Sequence, residues 1–261
     1  MSRRLDYAPH VSEFVWTPSA ERIEQANLTR LMRRLGCTDY RELHGVSVEE
    51  PDRFWPALID DLGIEFSTLF EQVLDDSRGI EWCRWFVGGT LNVAWNCVHK
   101  WRGRDGEAVV GQAEDGGRSV LTWAELSEEV YRLAAGLASL GIGPGDAVGI
   151  FLPMSPQVAI ASHACAHLGA VQVPIFSGFA APAIAARLAD AKAKALITAD
   201  GSLRRGQVVP MKEIADEALR GAPTVTHTVV WRRLGTDVRM VKGRDVWRYR
   251  NRPGRVDVER V

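Results

Sequence analysis

GDAVGIFLPMSPQVAIASHACAHLGAVQVPIF, residues 145–176, decides the fold class. Its first part, AVGIFL (147–152), is apolar without alternation, which is how a strand buried on both faces reads. Ser155 and Pro156 stand where a helix begins, and the alanine-rich stretch to Leu168 predicts a closely packed helix. VQVPIF (171–176) then reads as a second strand. Strand, helix and strand in succession make a β-α-β unit, in which the two strands run parallel. The cycle continues downstream with Pro182–Ala191 as helix, ALIT (195–198) as strand, Met211–Arg220 as helix and TVTHTVVW (224–231) as strand. Strand starts recur about 24 to 30 residues apart. The expectation is an α/β fold: a mostly parallel sheet with helices on both faces, joined by right-handed crossovers.

Upstream of the quoted stretch, Thr122 and Glu125 form a T-x-x-E capping box, and Leu126, Val130, Leu133, Leu137 and Leu140 mark one helical face that Gly141 ends. Gly143, Pro144, Gly145 and Asp146 turn the chain into the first strand. Further back, Ser19 to Leu35 reads as one helix and Pro51 opens another through Phe54, Trp55, Leu58, Ile59 and Leu62. Residues 1–79 are therefore expected to form a mainly helical N-terminal extension, and 80–247 a partial α/β domain. Between Ile80 and Trp101, four tryptophans (Trp82, Trp85, Trp95 and Trp101) surround WFVGGTLN (85–92), which suggests aromatic packing around a tight turn. Residues 248–261, RYRNRPGRVDVERV, carry Arg248, Arg250, Arg252, Arg255 and Arg260 without apolar period or caps. They read as an irregular Arg-rich tail, either solvated or marking where a longer sequence has been lost.

Hydrophobic residues at 46% and charged residues at 25% give the balance of a globular protein rather than a disordered or fibrous one. A formal charge of -1 supplies no global field toward nucleic acid or an anionic membrane, so any anion has to be gripped locally. Neither nucleic acid nor membrane is expected as a partner. Cys37, Cys83, Cys97 and Cys165 lie far apart with no C-x-x-C pair, the usage of reduced thiols in a cytoplasmic protein. The N-terminus lacks an apolar h-region, and no apolar run is long enough to span a bilayer.

GIGPGD (141–146) contains G-x-G-x-G, but it follows a helix and opens a strand, the reverse of a dinucleotide fingerprint. His163 and His167 stand one helical turn apart with Cys165 between them; with no acidic residue in H-E-x-x-H register, they read as structural groups and no metal is expected. ADGSLRRGQVVP (199–210) is different. It leaves the carboxyl end of a strand, where open α/β sheets bind ligands, and places Arg204 and Arg205 beside Gly201 and Gly206. Guanidiniums match phosphate oxygens, and glycines let backbone approach them. IFSGFAAP (175–182), after a neighbouring strand, adds Phe176 and Phe179 for stacking on a base.

WFVGGTLN with Asn96 and Cys97 after it, LTWAELSEEV, GDAVGIFLPMSPQ, GAVQVPIFSGFAA and DAKAKALITADG with RRGQVVPMK resemble, in order and spacing, the N-terminal region of AMP-forming acetyl-CoA synthetases, across roughly residues 15–247. The resemblance implies an acyl-CoA ligase that joins a carboxylic acid to ATP, with magnesium, as an acyl-adenylate and then lets coenzyme A displace AMP. It implies a coenzyme A site made of Phe176, Ser177, Gly178, Arg204, Arg205, Gly206 and Gln207. Gln207 stands where the family's loop has a second basic residue, Ser177 replaces a glycine, and Val98, His99 and Lys100 replace a D-R-H triplet. The family's T-S-G-T-T-G-x-P-K-G phosphate loop, its Y-G-x-T-E string and its C-terminal lysine do not occur in the 261 residues. No catalytic residue is therefore assigned. The resemblance leads to the expectation of an N-terminal fragment, from truncation or a frame change, that is inactive without a C-terminal half.

Overall fold

The computed structural model describes residues 16–248 and the strand at 258–260; Arg250, Arg252 and Arg255 lie outside the described residues. The chain divides into two compact units, residues 1–91 and 92–261.

In the first unit, α1 (Ala20–Glu24), α2 (Asn27–Arg34), α3 (Tyr40–Glu49) and α4 (Pro51–Asp61) precede an antiparallel hairpin of β1 (Gln72–Asp75) and β2 (Arg84–Val87). The single helix expected over 19–35 is broken at Ala26, which is extended at φ −71 and ψ 138. The Thr29 hydroxyl donates to the Ile23 carbonyl across the break, taking an acceptor that a continuous helix would have used. Leu31, Leu35 and Leu43 form a small core against which Phe54 and Leu58 pack. Arg30 ties α2 to the end of α4 through both carboxylate oxygens of Asp61, at 2.7 and 2.8 Å. The β1–β2 hairpin straddles Gly79, so the change of organisation that the sequence suggests there falls inside a hairpin, and the unit ends after Leu91. Its aromatic cluster joins Trp55, Trp85, Phe86, Phe66 and Phe70 with ring centroids 5.1 to 6.1 Å apart.

The second unit begins with α5 (Val93–Cys97) and an antiparallel pair, β3 (Glu107–Gln112) and β4 (Arg118–Thr122). Then follow α6 (Trp123–Ser139), β5 (Ala147–Phe151), α7 (Pro156–Leu168), β6 (Val171–Ile175), α8 (Ala181–Asp190) and β7 (Ala195–Ala199). A small hairpin, β8 (Ser202–Arg204) and β9 (Gln207–Val209), interrupts the cycle. After it come α9 (Met211–Leu219), β10 (His227–Trp231), β11 (Asp245–Arg248) and β12 (Val258–Arg260). The main sheet has the order β12-β11-β10-β7-β5-β6, with five parallel strands and β12 antiparallel at the edge. From β5 the chain moves to β6 on one side and then to β7 on the other. Right-handed crossovers therefore send α7 and α8 to opposite faces. The packing agrees: α6 lies with α7, and α8 with α9. Every residue of β5 and β7 is buried, in keeping with runs that are apolar but for Thr198 and do not alternate.

The capping box at the start of α6 is formed in both directions: Glu125 N–H donates to Thr122 Oγ1 at 3.2 Å, and Thr122 N–H to Glu125 Oε2 at 2.8 Å. Leu126, Val130, Leu133 and Leu137 are buried along one stripe of that helix. Each contributes about 1.5–3 kcal/mol before the entropy of ordering is subtracted.

The expected irregular tail is corrected on two points. Val258–Arg260 pair with Val246–Arg248 as an antiparallel strand. Arg248 ends β11 and is fully buried: its Nη2 donates to Glu129 Oε2 of α6 at 2.8 Å, and the guanidinium lies 5.7 Å from the Trp231 ring centre. A carboxylate from 119 positions away makes that burial tolerable, and nothing local to Arg248 announces it. β11 was not expected either, because Arg244, Asp245 and Arg248 break the apolar run.

Candidate functional site

The carboxyl ends of β5, β6, β7 and β10 open into one cleft of about 640 Å³. The order in which strands are added switches sides between β5 and β7, so this is the place where a sheet of such order leaves a crevice. Pro153, Met154 and Gln157 come to it from the end of β5, Phe176 and Ser177 from β6, and Ser202 to Arg204 from beyond β7. Trp231, Arg232 and Arg233 come from β10, and Gln112 to Asp115 form a rim from the β3–β4 hairpin.

Arg204 is the cation that joins two of these loops. Its guanidinium carbon lies 5.8 Å from the centre of the Phe176 ring, and that ring is 59% exposed, leaving a face free to stack. Gly178 makes the approach possible: a Cβ there would stand 2.6 Å from Phe176 Cε1 and 2.7 Å from Arg204 Nη1. Phe179 is turned instead to the core, with Arg187 stacked 4.3 Å from its ring centre and Phe176 meeting it edge-on at 5.6 Å.

The stretch read as an open phosphate-cradling turn is a hairpin. Arg204 and Gln207 are cross-strand partners, and Arg205 and Gly206 form its tip with φ of 52° and 73°. Two consecutive left-handed residues define the tight connection that suits the strand twist. Phe176, Ser177 and Arg204 line the cleft; Arg205 and Gly206 form the tip directly beyond Arg204, and Gln207 returns from it on β9. Glu114 reaches the tip from the β3–β4 hairpin: Oε1 accepts from Arg205 N–H at 3.0 Å and Oε2 from Gly206 N–H at 3.2 Å. These two backbone hydrogen bonds, with the charges of Arg204 and Arg205 behind them, hold its carboxyl below the usual range.

Asp200 organises the far wall. Buried at the end of β7, its carboxylate accepts from the backbone N–H groups of Gly201, Arg233, Leu234, Gly235 and Thr236 at 2.8 to 3.2 Å. That clasp fixes the loop after β10 and so the position from which Arg233 reaches Gln157, at 3.4 Å.

Sequence reasoning did not single out Glu114, Asp200, Arg232 or Arg233. The signal for Asp200 was present: an acidic residue directly after a buried strand, ALITA, in which Thr198 is the one polar side chain, at the carboxyl end of the sheet. Arg232 and Arg233 stand in the same relation to TVVW.

His163 Nδ1–H donates to the Ala159 carbonyl at 2.7 Å, within its own helix. His167 meets His99 and Tyr131 edge-on at 5.1 and 4.9 Å. Burial, with the nearby His167, pushes the His99 imidazole down to about 4, so it is neutral at ordinary pH. Burial pushes the Cys165 thiol up to about 12, which leaves it inert as a nucleophile. Among the described residues, no three His, Cys, Asp or Glu side chains gather as a metal-binding group, and no helix is long and apolar enough to cross a membrane.

The family described as AMP-binding enzyme matches residues 99–255, and that described as acetyl-coenzyme A synthetase N-terminus matches residues 40–97. Acetyl-coenzyme A synthetase of Rhodopirellula baltica is 40% identical over 260 residues, covering 94% of this chain and 37% of the relative. That of Mycobacterium tuberculosis is 44% identical over 212 residues, covering 79% of this chain and 32% of the relative. The solved acetoacetyl-CoA synthetase from Streptomyces lividans superposes with a TM-score of 0.81 at 33% identity, covering 88% of this chain and 36% of that one. The chain thus spans about a third of the length of the relatives it matches.

Proposed function

Because this chain belongs to the AMP-binding enzyme family, we propose that its strand-end cleft receives the phosphorylated adenosine end of coenzyme A as part of an acyl-CoA ligase. In that reaction a short carboxylic acid, acetate in the first instance, attacks ATP, supplied with magnesium, to give an acyl-adenylate and pyrophosphate. The coenzyme A thiol then takes the acyl group and releases AMP. The observation that carries the proposal is the platform of Arg204, Phe176 and Gly178 at the mouth of the cleft. The guanidinium offers a phosphate two parallel donors, and the exposed ring offers a purine a stacking face. Arg232 and Arg233 add positive charge on the opposite wall. This chain's part in the reaction is to bind and orient the coenzyme.

Titration calorimetry tests it. Coenzyme A is expected to bind at millimolar concentration or below, and Arg204→Ala to weaken binding at least about tenfold, the scale of one charge-assisted phosphate contact. Absence of heat with millimolar coenzyme A, or equal binding by the variant, would overturn the reading.

The T-S-G-T-T-G phosphate loop, whose backbone amides would offset charge at the α-phosphate, does not occur in the 261 residues. Assayed alone, the chain is expected to catalyse no acetate-dependent exchange between ATP and pyrophosphate. Clear exchange would show that adenylation needs none of the missing strings.

A further inference from the structure

We propose that Glu114 is an internal anion seated on the Arg205–Gly206 tip, and that a phosphate monoester entering the cleft has to displace it. The inference rests on the cleft being a phosphate site. Its geometry is that of a bound oxyanion: each carboxylate oxygen accepts one of two consecutive backbone N–H groups, at 3.0 and 3.2 Å. The tip residues both have positive φ, and the two amides they present serve one acceptor pair.

The contact is long-range and comes from a stiffened loop. Glu114 lies 91 positions before Arg205, in a hairpin end closed by Ala113 N–H on the Gly117 carbonyl at 2.8 Å and by Gly117 N–H on Asp115 Oδ1 at 2.9 Å. Glu114 and Arg204 both line the cleft. A dianionic phosphate held by Arg204 would therefore meet a like charge on the rim while competing for the same two amides. The dianion has the advantage of a second charge and a third oxygen. Glu114 is an exposed side chain, so its carboxylate can swing into water when displaced. The contact is then autoinhibitory: it keeps the tip formed in the free protein and weakens ligand binding by the competition.

Glu114→Gln and Glu114→Ala test this against the native chain, using coenzyme A, 3′-dephospho-coenzyme A and inorganic phosphate as probes. Expected is that both variants bind coenzyme A roughly tenfold more tightly, on the scale of one charge-assisted contact, with the dephospho form unchanged. Unchanged or weaker coenzyme A binding in both variants, while Arg204→Ala still weakens it, would overturn the displacement and leave the cleft assignment standing. If no chain binds coenzyme A, the cleft assignment fails, and the inference is decided by phosphate titration followed through the amide resonances of Arg205 and Gly206. A shift in Glu114→Gln at about tenfold lower phosphate than in the native chain supports displacement. Equal or absent shifts overturn it.

Discussion

Lys212→Met is expected to lower the unfolding free energy by about 3–5 kcal/mol, the range for breaking one partner out of a buried ionic network. Lys212 is 1% exposed, at the start of α9. Its ammonium reaches both Asp216 oxygens at 2.7 Å, Asp245 Oδ2 at 2.9 Å and the Arg239 carbonyl at 2.9 Å. Arg244 completes the group through Asp245, at 2.6 Å, and Asp216. Removing the lysine leaves the fully buried Asp245 carboxylate with Arg244 as its remaining cation, and unties α9 from the chain that leads into β11. Urea denaturation at neutral pH measures the effect, and a loss under about 1 kcal/mol would place the network among those worth little.

The same network carries a pH dependence. Burial pushes the Asp245 carboxyl up, but hydrogen bonds from Arg244, the Val241 amide and Lys212 outweigh it, so the group titrates below its usual value of 3.8. A folded-state value below the unfolded one means that its stabilisation is complete above the unfolded value and is lost as pH falls through the folded one. The native chain should therefore lose stability steeply below about pH 4, and Asp245→Asn, already weaker at neutral pH, should lose less over the same interval. Parallel acid profiles of the two proteins would remove Asp245 as the source.

Asp200→Asn is expected to cost about 2–4 kcal/mol, because it keeps the size of the side chain but turns one of two acceptors into a donor. Both carboxylate oxygens are in use: Oδ1 takes Gly201 and Arg233, Oδ2 takes Gly235 and Thr236, and Leu234 is shared. Whichever way the amide is placed, at least two backbone N–H groups face an NH₂. Hydrogen exchange separates this from a general loosening. The amides of residues 233–236 should exchange on the order of tenfold faster relative to those of β5, since a lost hydrogen bond lowers local protection first. Uniform acceleration across the sheet would mean that Asp200 serves the core and not the loop. Because Arg233 rides on that loop, coenzyme A affinity should fall together with protection.

How much of this was legible follows from how far apart the interacting residues are. Helix α6 could be read to its cap because Thr122, Glu125 and the leucine stripe lie within single turns of one another. Strands β5 and β7 could be read because burial on both faces leaves a nearly continuous apolar run, broken only by Thr198. Phe176 and Arg204 were legible as members of two strand-end loops, and the structure brings them together on the cleft wall. Strand β11 was hidden because its charged residues look like surface until their partners are known: Glu129 for Arg248, Lys212 for Asp245.

The amino-acid order by itself determined the alternation of strands and helices, hence the parallel sheet and the end of it at which the cleft opens. Those properties come from local periodicity and from the handedness of crossovers. Only the tertiary structure decided which charges meet. Glu114 on the Arg205–Gly206 amides, Asp200 under the 233–236 loop and Arg248 against Glu129 join positions 91 to 92, 33 to 36 and 119 residues apart. A charged side chain carries no local pattern that names a partner at such separation; packing alone selects it.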